Sequence, residues 1–426
     1  MSTSINRRTL MAMMGVGGAA ALAACSGPGS TGGGEANAPD TEGAVEGEVS
    51  FAHWRAEDQA AFDDLITAFS SENPDVTVTQ DITPSNNYQS QALNRLQSSA
   101  VGDVFPTFRG AQFTQFVEAG VYTDLSDSDL LSAYQPGLIE AGQSDGAQMG
   151  IPYQVVLSMP VGNLDILSSV GYEETPTDWD GFLDMCDKVK SKGLVPLAWP
   201  GADLGNAGQL YNSMIMNLQP EDDASAQLEA GTLKCTDDWF LEMLGKYAEL
   251  RPYFQDDAAG SSPEPIQQMF AAGEAAILAT GSYHIAAVRQ LGAEFPVGMY
   301  PPITASSGPK YTGTYNATFI LGVNAASDVQ PAANEFLRFL SDPANAQKYA
   351  DATVQHVSVK DVEYTNPDLQ AISPWLEKED MLLAARFQFN NLDIRNAVEE
   401  SCIQVVAGTD PEAAAEAAQS VIDERL

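Results

Sequence analysis

Six aromatic residues, Trp54, Phe108, Tyr153, Trp199, Tyr283 and Tyr315, fall where the residue pattern ends a predicted strand. A ring at a strand end offers a flat apolar face. Planar hydrogen-bonding groups recur with them, at Asn87, Arg109, Asp203, Asn316 and Asn390. Aromatic planes beside amides, a carboxylate and a guanidinium suit a ligand with apolar C–H faces and a rim of hydroxyls, which describes a sugar ring. Catalysis has weaker support. No nucleophile elbow, His-Glu-x-x-His run or Walker loop is identified. The three histidines, His53, His284 and His356, show no metal-ligand spacing. Carboxylates are so plentiful that counting them does not exclude a glycosidase pair. The expectation is a binding site with no catalytic residue, no metal and no cofactor.

The elements that must position these groups are legible in order. Val49–His53 reads as a strand, followed by a helix carrying Phe62, Leu65, Ile66 and Phe69 at helical spacing. Asn73-Pro74-Asp75 ends the helix and Val76–Thr79 is a second strand. This β-α-β order predicts a parallel sheet, with Trp54-Arg55 at the carboxyl end of its first strand, where α/β proteins hold ligands. Asp103–Phe105 forms a short strand before Phe108-Arg109, an apolar strand spans Val155–Val161, and Leu194–Ala198 leads into Trp199. Ile266–Ala272 reads as a helix broken at Gly273, and Ala275–Thr280 as a buried strand that stops at Gly281 and leaves Tyr283 at its tip, part of a ligand floor. Phe319–Val323 is a further strand, and Asp393–Ala407 and Pro411–Leu426 are helices.

With 426 residues, two or three domains are expected. A formal charge of −38 opposes association with nucleic acid or anionic lipid at every approach. Arg7-Arg8 precedes the uncharged run Leu10–Ala24 and then Cys25, the order of an export signal with a cleavage site. The run is shorter than the about 20 residues a membrane span needs. Ser26–Glu48, rich in Gly, Ser, Pro and acids, reads as a flexible tether. Beyond Cys25 there are three cysteines, Cys186, Cys235 and Cys402, so at most one disulfide among them is possible, and buried thiols are the expectation.

The chain resembles the extracellular solute-binding proteins of carbohydrate ABC importers, family 1, the maltose-binding-protein-like class. The resemblance covers nearly all of the chain beyond the signal. It rests on AFDDLITAFSSENPDVTV, DVFPTFRGAQFTQFVEAGVYTDL, GIPYQVVLSMPVGN, PTDWDGFLDMCDKVKSKGLVPLAW, MFAAGEAAILATGSYHI, LGVNAASDVQPAANEFLRFLSDP and AGTDPEAAAEAAQSVID, in that order. Leu-Ala-Ala-Cys-Ser resembles a bacterial lipobox, with Cys25 as the acylated residue. The chain departs from the family's pattern at MPVGNLD, where an aromatic often precedes Asn, and at Tyr283, where Trp is frequent.

The resemblance implies a two-lobed α/β periplasmic-binding-protein-like fold of type II, closing by hinge motion over a cleft. It places the signal at 1–24, the tether at 25–48, an N-terminal lobe at 49–153 plus 298–326, and a C-terminal lobe at 154–297 plus 327–426. Cleft residues carried over from the family are Trp54, Arg55, Phe108, Arg109, Trp199, Tyr283, Tyr315, Asn316, Phe389 and Asn390; Asn87, Tyr153 and Asp203 join them from the strand-end pattern. The implied partners are a sugar or short oligosaccharide and the permease subunits of an ABC transporter. A monomer is expected, exported and held to the outer face of the bacterial cytoplasmic membrane only through lipid on Cys25. Two alternatives stand beside this: a sugar acid, polyol or phosphorylated ligand paired by Arg55, Arg109 or Arg386, and a secreted carbohydrate hydrolase.

Overall fold

The computed structural model describes residues 37–98 and 102–426. The expected signal, Cys25 and the first part of the tether lie outside the described residues. Strand β1 (Gly47–His53), a helix over Gln59–Glu72 and β2 (Val76–Ile82) form the anticipated unit, with the two strands parallel and Val49 opposite Val78. The helix buries Phe62, Leu65 and Phe69, which recur on one face, and Asn73 closes it by donating its backbone N–H to the Phe69 carbonyl. β3 (Val104–Thr107) pairs in parallel with β1 on its other side.

The remaining strands are the hairpin β4 (Gln143–Ser144) and β5 (Ala147–Gln148), then β6 (Ile151–Leu157), β7 (Val161–Asn163), β8 (Val195–Ala198), β9 (Ala275–Leu278), β10 (Val297–Met299), β11 (Gly313–Val323), β12 (His356–Val357) and β13 (Met381–Leu383). A large sheet runs β12-β6-β11-β3-β1-β2, with β13 added to β11. A smaller sheet runs β10-β7-β9-β8. The chain crosses between them at residues 158–160 and 300–312, and residues 384–391 lead from β13 to the helix Leu392–Ala407, whose apolar face shares a core with β9. The apolar run expected as one strand from Val155 to Val161 is therefore split. Pro160 offers no N–H to a ladder, and the chain changes sheets there.

The lobe boundaries differ from those expected. Helices Gln330–Leu340 and Pro343–Thr353 pack on β1, β11 and the first helix, and β12 joins the large sheet. Phe336 sits between Phe51 and Phe69, with ring centroids 5.6 and 5.2 Å away. Residues 330–357 thus belong with the first sheet rather than the second, because their apolar face completes that core. β6 likewise continues in the large sheet to Leu157, beyond the boundary drawn at 153.

Cys186, Cys235 and Cys402 are buried and unbridged, and burial pushes each thiol up. Among the described residues no helix is long and apolar enough to cross a membrane.

Candidate functional site

β6 and β11 are antiparallel neighbours, with Asn316 opposite Val156 and Thr318 opposite Gln154. Side chains alternate along a strand, so Gln154, Val156, Ser158, Asn316 and Thr318 share one face of the sheet. That face forms the wall of a cavity of about 570 Å³. The carboxyl ends of β1 and β3 bring in Trp54, Arg55 and Phe108, and the start of the helix Ser85–Gln97 brings Asn87. From the side of the small sheet come Asp203 and Asn206 after β8, and Tyr283 and His284 after β9. Arg386 on the last crossing and Arg395 on the helix Leu392–Ala407 close the far end. The cavity therefore lies between the two sheets, at the carboxyl ends of β1, β3, β8 and β9.

Its aromatic wall is a stack. Trp54 and Phe108 lie with ring centroids 3.8 Å apart and planes inclined by 21°. Phe319 packs edge-on to Trp54 at 5.0 Å and adopts a left-handed φ of 51°, a conformation that costs a non-glycine residue on the order of 1–3 kcal/mol. Tyr283 donates its hydroxyl to Asn206 Oδ1 at 2.7 Å, and burial pushes its phenol up.

The charges are mostly matched. The Arg55 guanidinium forks onto Asp58 at 2.8 and 2.9 Å and reaches Glu57 at 2.9 Å. Burial alone would lower its pKa, but these two carboxylates raise it above its ordinary value. Asp58 also accepts from Tyr349 at 2.6 Å, and Tyr349 meets the Gln154 amide, so a buried network fixes Gln154 at the cavity wall. Arg386 forks onto Glu399 at 2.7 and 3.0 Å. Gly208 makes room for that carboxylate, since a Cβ there would stand 2.4 Å from the Glu399 carboxyl carbon. His284 is held at about 3 by burial and by the charge of Arg55, so it is neutral near pH 7 and bonds Thr280 Oγ1 at 2.9 Å.

Several wall groups are left open. Ser158 Oγ, Thr318 Oγ1, both amide atoms of Asn316 and Arg395 Nε are buried without a hydrogen-bond partner among the described residues. Each such atom costs about 1–3 kcal/mol relative to a satisfied one, a cost that a ligand of hydroxyls relieves.

Of the residues expected from sequence, Trp54, Arg55, Asn87, Phe108, Asp203, Tyr283 and Asn316 line this cavity. Six others do not. Tyr153 lies mid-strand and donates to the Leu340 carbonyl at 3.1 Å. Trp199 is wholly buried beneath the site and donates to the Ala207 carbonyl at 3.0 Å. Tyr315 points from the opposite face of β11 into a second cavity walled by Val155, Val357 and Met381. Arg109 lies outside the cavity lining, and burial lowers its pKa against the opposing influence of Tyr315 and Glu140. Phe389 is core, and Asn390 accepts from Thr114 Oγ1 at 2.9 Å. Sequence reasoning missed Gln154, Ser158, Thr318, Asn206, His284 and Arg395. The signal that could have found three of them is polarity inside two apolar strands that cross the middle of the chain.

A Gly-x-Ser-x-Gly string does occur, at Gly142–Gly146. It forms the β4–β5 hairpin, with Ser144 opposite Ala147, whereas a nucleophile elbow needs a turn from strand to helix. No cluster of His, Cys, Asp and Glu able to hold a metal occurs among the described residues.

Two α/β sheets facing each other across a cavity of hydroxyl, amide and aromatic groups, joined by crossing segments, define a protein that captures a small solute between lobes. The chain belongs to the bacterial extracellular solute-binding protein family, whose model matches residues 53–347. It is 24% identical over 305 residues to the melibiose/raffinose/stachyose-binding protein MelE of Bacillus subtilis, covering 68% of this chain and 69% of that one. It is 20% identical over 333 residues to the multiple sugar-binding protein of Streptococcus mutans, covering 76% and 78%. Among solved structures it is similar to a sugar transporter protein from Bacillus licheniformis in complex with stachyose, with a TM-score of 0.74, 16% identity and coverage of 89% and 100%. The type II two-lobed fold expected from sequence is the fold of these neighbours, and the protein is an exported transport component rather than an enzyme.

Proposed function

We propose that this protein captures a short oligosaccharide in the cavity between its sheets and delivers it to the permease of an ABC importer. The observation that carries the ligand class is the set of open atoms on Ser158, Asn316 and Thr318 beside the Trp54–Phe108 stack. Hydroxyls of a pyranose satisfy the first, and its C–H face lies against the second. The volume of about 570 Å³ is that of a small-molecule site, and the relatives' names include melibiose, raffinose and stachyose. Lipid on Cys25 holds the body at the outer face of the membrane, with residues 26–48 as the tether. The protein works as a monomer.

The anion alternative loses all three arginines first named for it, because Arg55 and Arg386 already carry bidentate carboxylates and Arg109 lies outside the cavity. The test is isothermal titration of the protein with melibiose, raffinose and stachyose. Stoichiometric binding of one of them without hydrolysis is the expected result. Absence of heat with these, with maltose- and cellulose-type oligosaccharides and with uronic-acid-bearing oligosaccharides would remove the carbohydrate reading while leaving the family intact.

A further inference from the structure

Three arginines line the cavity, and they are not equivalent. Arg55 and Arg386 each have a forked carboxylate partner. Arg395 has no ion pair among the described residues. Among the described residues its Nε has no partner, and the one hydrogen bond of its side chain is a long one of 3.4 Å to Asn396 Oδ1. Only 7% of the residue is exposed, and burial lowers its pKa to about 10, opposed by Glu399 and reinforced by Arg386. Glu399 is the carboxylate whose charge supports Arg395, but both of its oxygens are already bonded by Arg386. Arg395 also stands at the fourth position of the helix Leu392–Ala407, towards the positive end of the helix dipole, where a cation gains nothing. A buried cation held so is costly unless a partner arrives, and hydroxyls would satisfy its N–H groups without neutralising its charge.

Resting on the oligosaccharide reading above, we infer that Arg395 anchors a carboxylate of the ligand, so that the sugar captured carries a uronic acid unit. The guanidinium fork takes the two carboxylate oxygens, and Asn316, Thr318 and Ser158 take hydroxyls of the same or the adjoining ring. The other cavity carboxylates do not compete for Arg395: Glu57 is paired with Arg55, Asp203 caps the helix Leu204–Ala207 through Asn206, and Glu264 is exposed on the first turn of the helix Pro263–Ala271.

The experiment is calorimetric titration of the protein with matched pairs: galactobiose against digalacturonate, and xylotriose against glucuronate-substituted xylotriose. The expected result is that an acidic member binds at least tenfold tighter than its neutral counterpart. Arg395→Gln should cut that preference by roughly tenfold to a hundredfold, the usual worth of a charge-assisted hydrogen bond. Arg395→Lys, which keeps the charge and loses the fork, should retain part of it. The melting temperature of ligand-free Arg395→Gln should be unchanged or raised, because an unpaired buried charge is removed; a fall would assign Arg395 a structural role and overturn the inference. Equal or tighter binding of the neutral member also overturns the inference and leaves the oligosaccharide reading standing. Failure of both members of both pairs, with raffinose and stachyose failing too, overturns both.

Discussion

The rings of Trp54 and Phe108, from the carboxyl ends of two parallel strands, stack 3.8 Å apart at the wall of the cavity. Strands β1 and β3 are neighbours, so residues just past their ends are brought side by side by register, and Phe108 is the more exposed of the two. Phe108→Ala should therefore weaken sugar binding by about 1–3 kcal/mol, as loss of a buried aromatic anchor does elsewhere. Ligand should change the tryptophan fluorescence, and the change should vanish in Trp54→Phe. A fluorescence titration with raffinose or stachyose that gives the same curve for wild type and Phe108→Ala would sink this role.

Asn316 separates binding from stability. Both of its amide atoms are buried and open, so ligand-free protein bears their desolvation without return. Asn316→Leu, similar in volume, should leave the melting temperature of the free protein unchanged or higher while lowering affinity by about 1–3 kcal/mol. Thermal melts with and without ligand decide it. A variant that melts much lower without ligand would show that the amide serves the fold instead.

Glu399 and Arg386 predict the opposite pattern. The pair is buried, and removing one member strands the other charge. Glu399→Ala should destabilise the protein by about 3–5 kcal/mol, read as a shift in the denaturation midpoint at constant slope. The double variant Glu399→Ala, Arg386→Met should recover part of that loss. If the double variant is as unstable as the sum of the two single ones, the coupling between these residues is absent.

Much of this site was legible in the sequence, and the missing part has a common cause. Residues at the ends of parallel strands, Trp54, Phe108, Asp203 and Tyr283, were placed by the β-α-β pattern and by the rule that ligands sit at carboxyl ends. Tyr315 and Tyr153 were not, because a strand's length decides which residue is its end: β11 begins at Gly313 and β6 runs through Tyr153 to Leu157. One residue of register also decides the face, which is why Asn316 enters the cavity and Tyr315 leaves it. Trp199 does end a strand, yet it is sealed under the residues that follow it. Arg395 was out of reach because its helix, Leu392–Ala407, lies far along the chain from the strands it meets, and nothing local marks its head as facing the cavity.

The three histidines make stability depend on pH in a way the carboxylates alone would not. His53 and His356 are lowered to about 4 and His284 to about 3, all chiefly by burial, from an ordinary value of 6.5. Between these values and 6.5 the unfolded chain binds protons that the folded chain refuses, so stability rises with pH through that window and is lost as pH falls from about 6.5 towards 4. Each histidine contributes on the order of a few kcal/mol when the window is crossed fully. His356 is the one to test, since it lies outside the cavity and bonds Ser373 Oγ at 2.9 Å through Nε2 while its Nδ1 is open. His356→Gln should flatten the stability profile between pH 6.5 and 4 relative to wild type, whatever its offset at pH 7. Denaturation midpoints at pH 7, 6, 5 and 4.5 measure it, and parallel profiles for the two proteins would show that His356 does not titrate on unfolding.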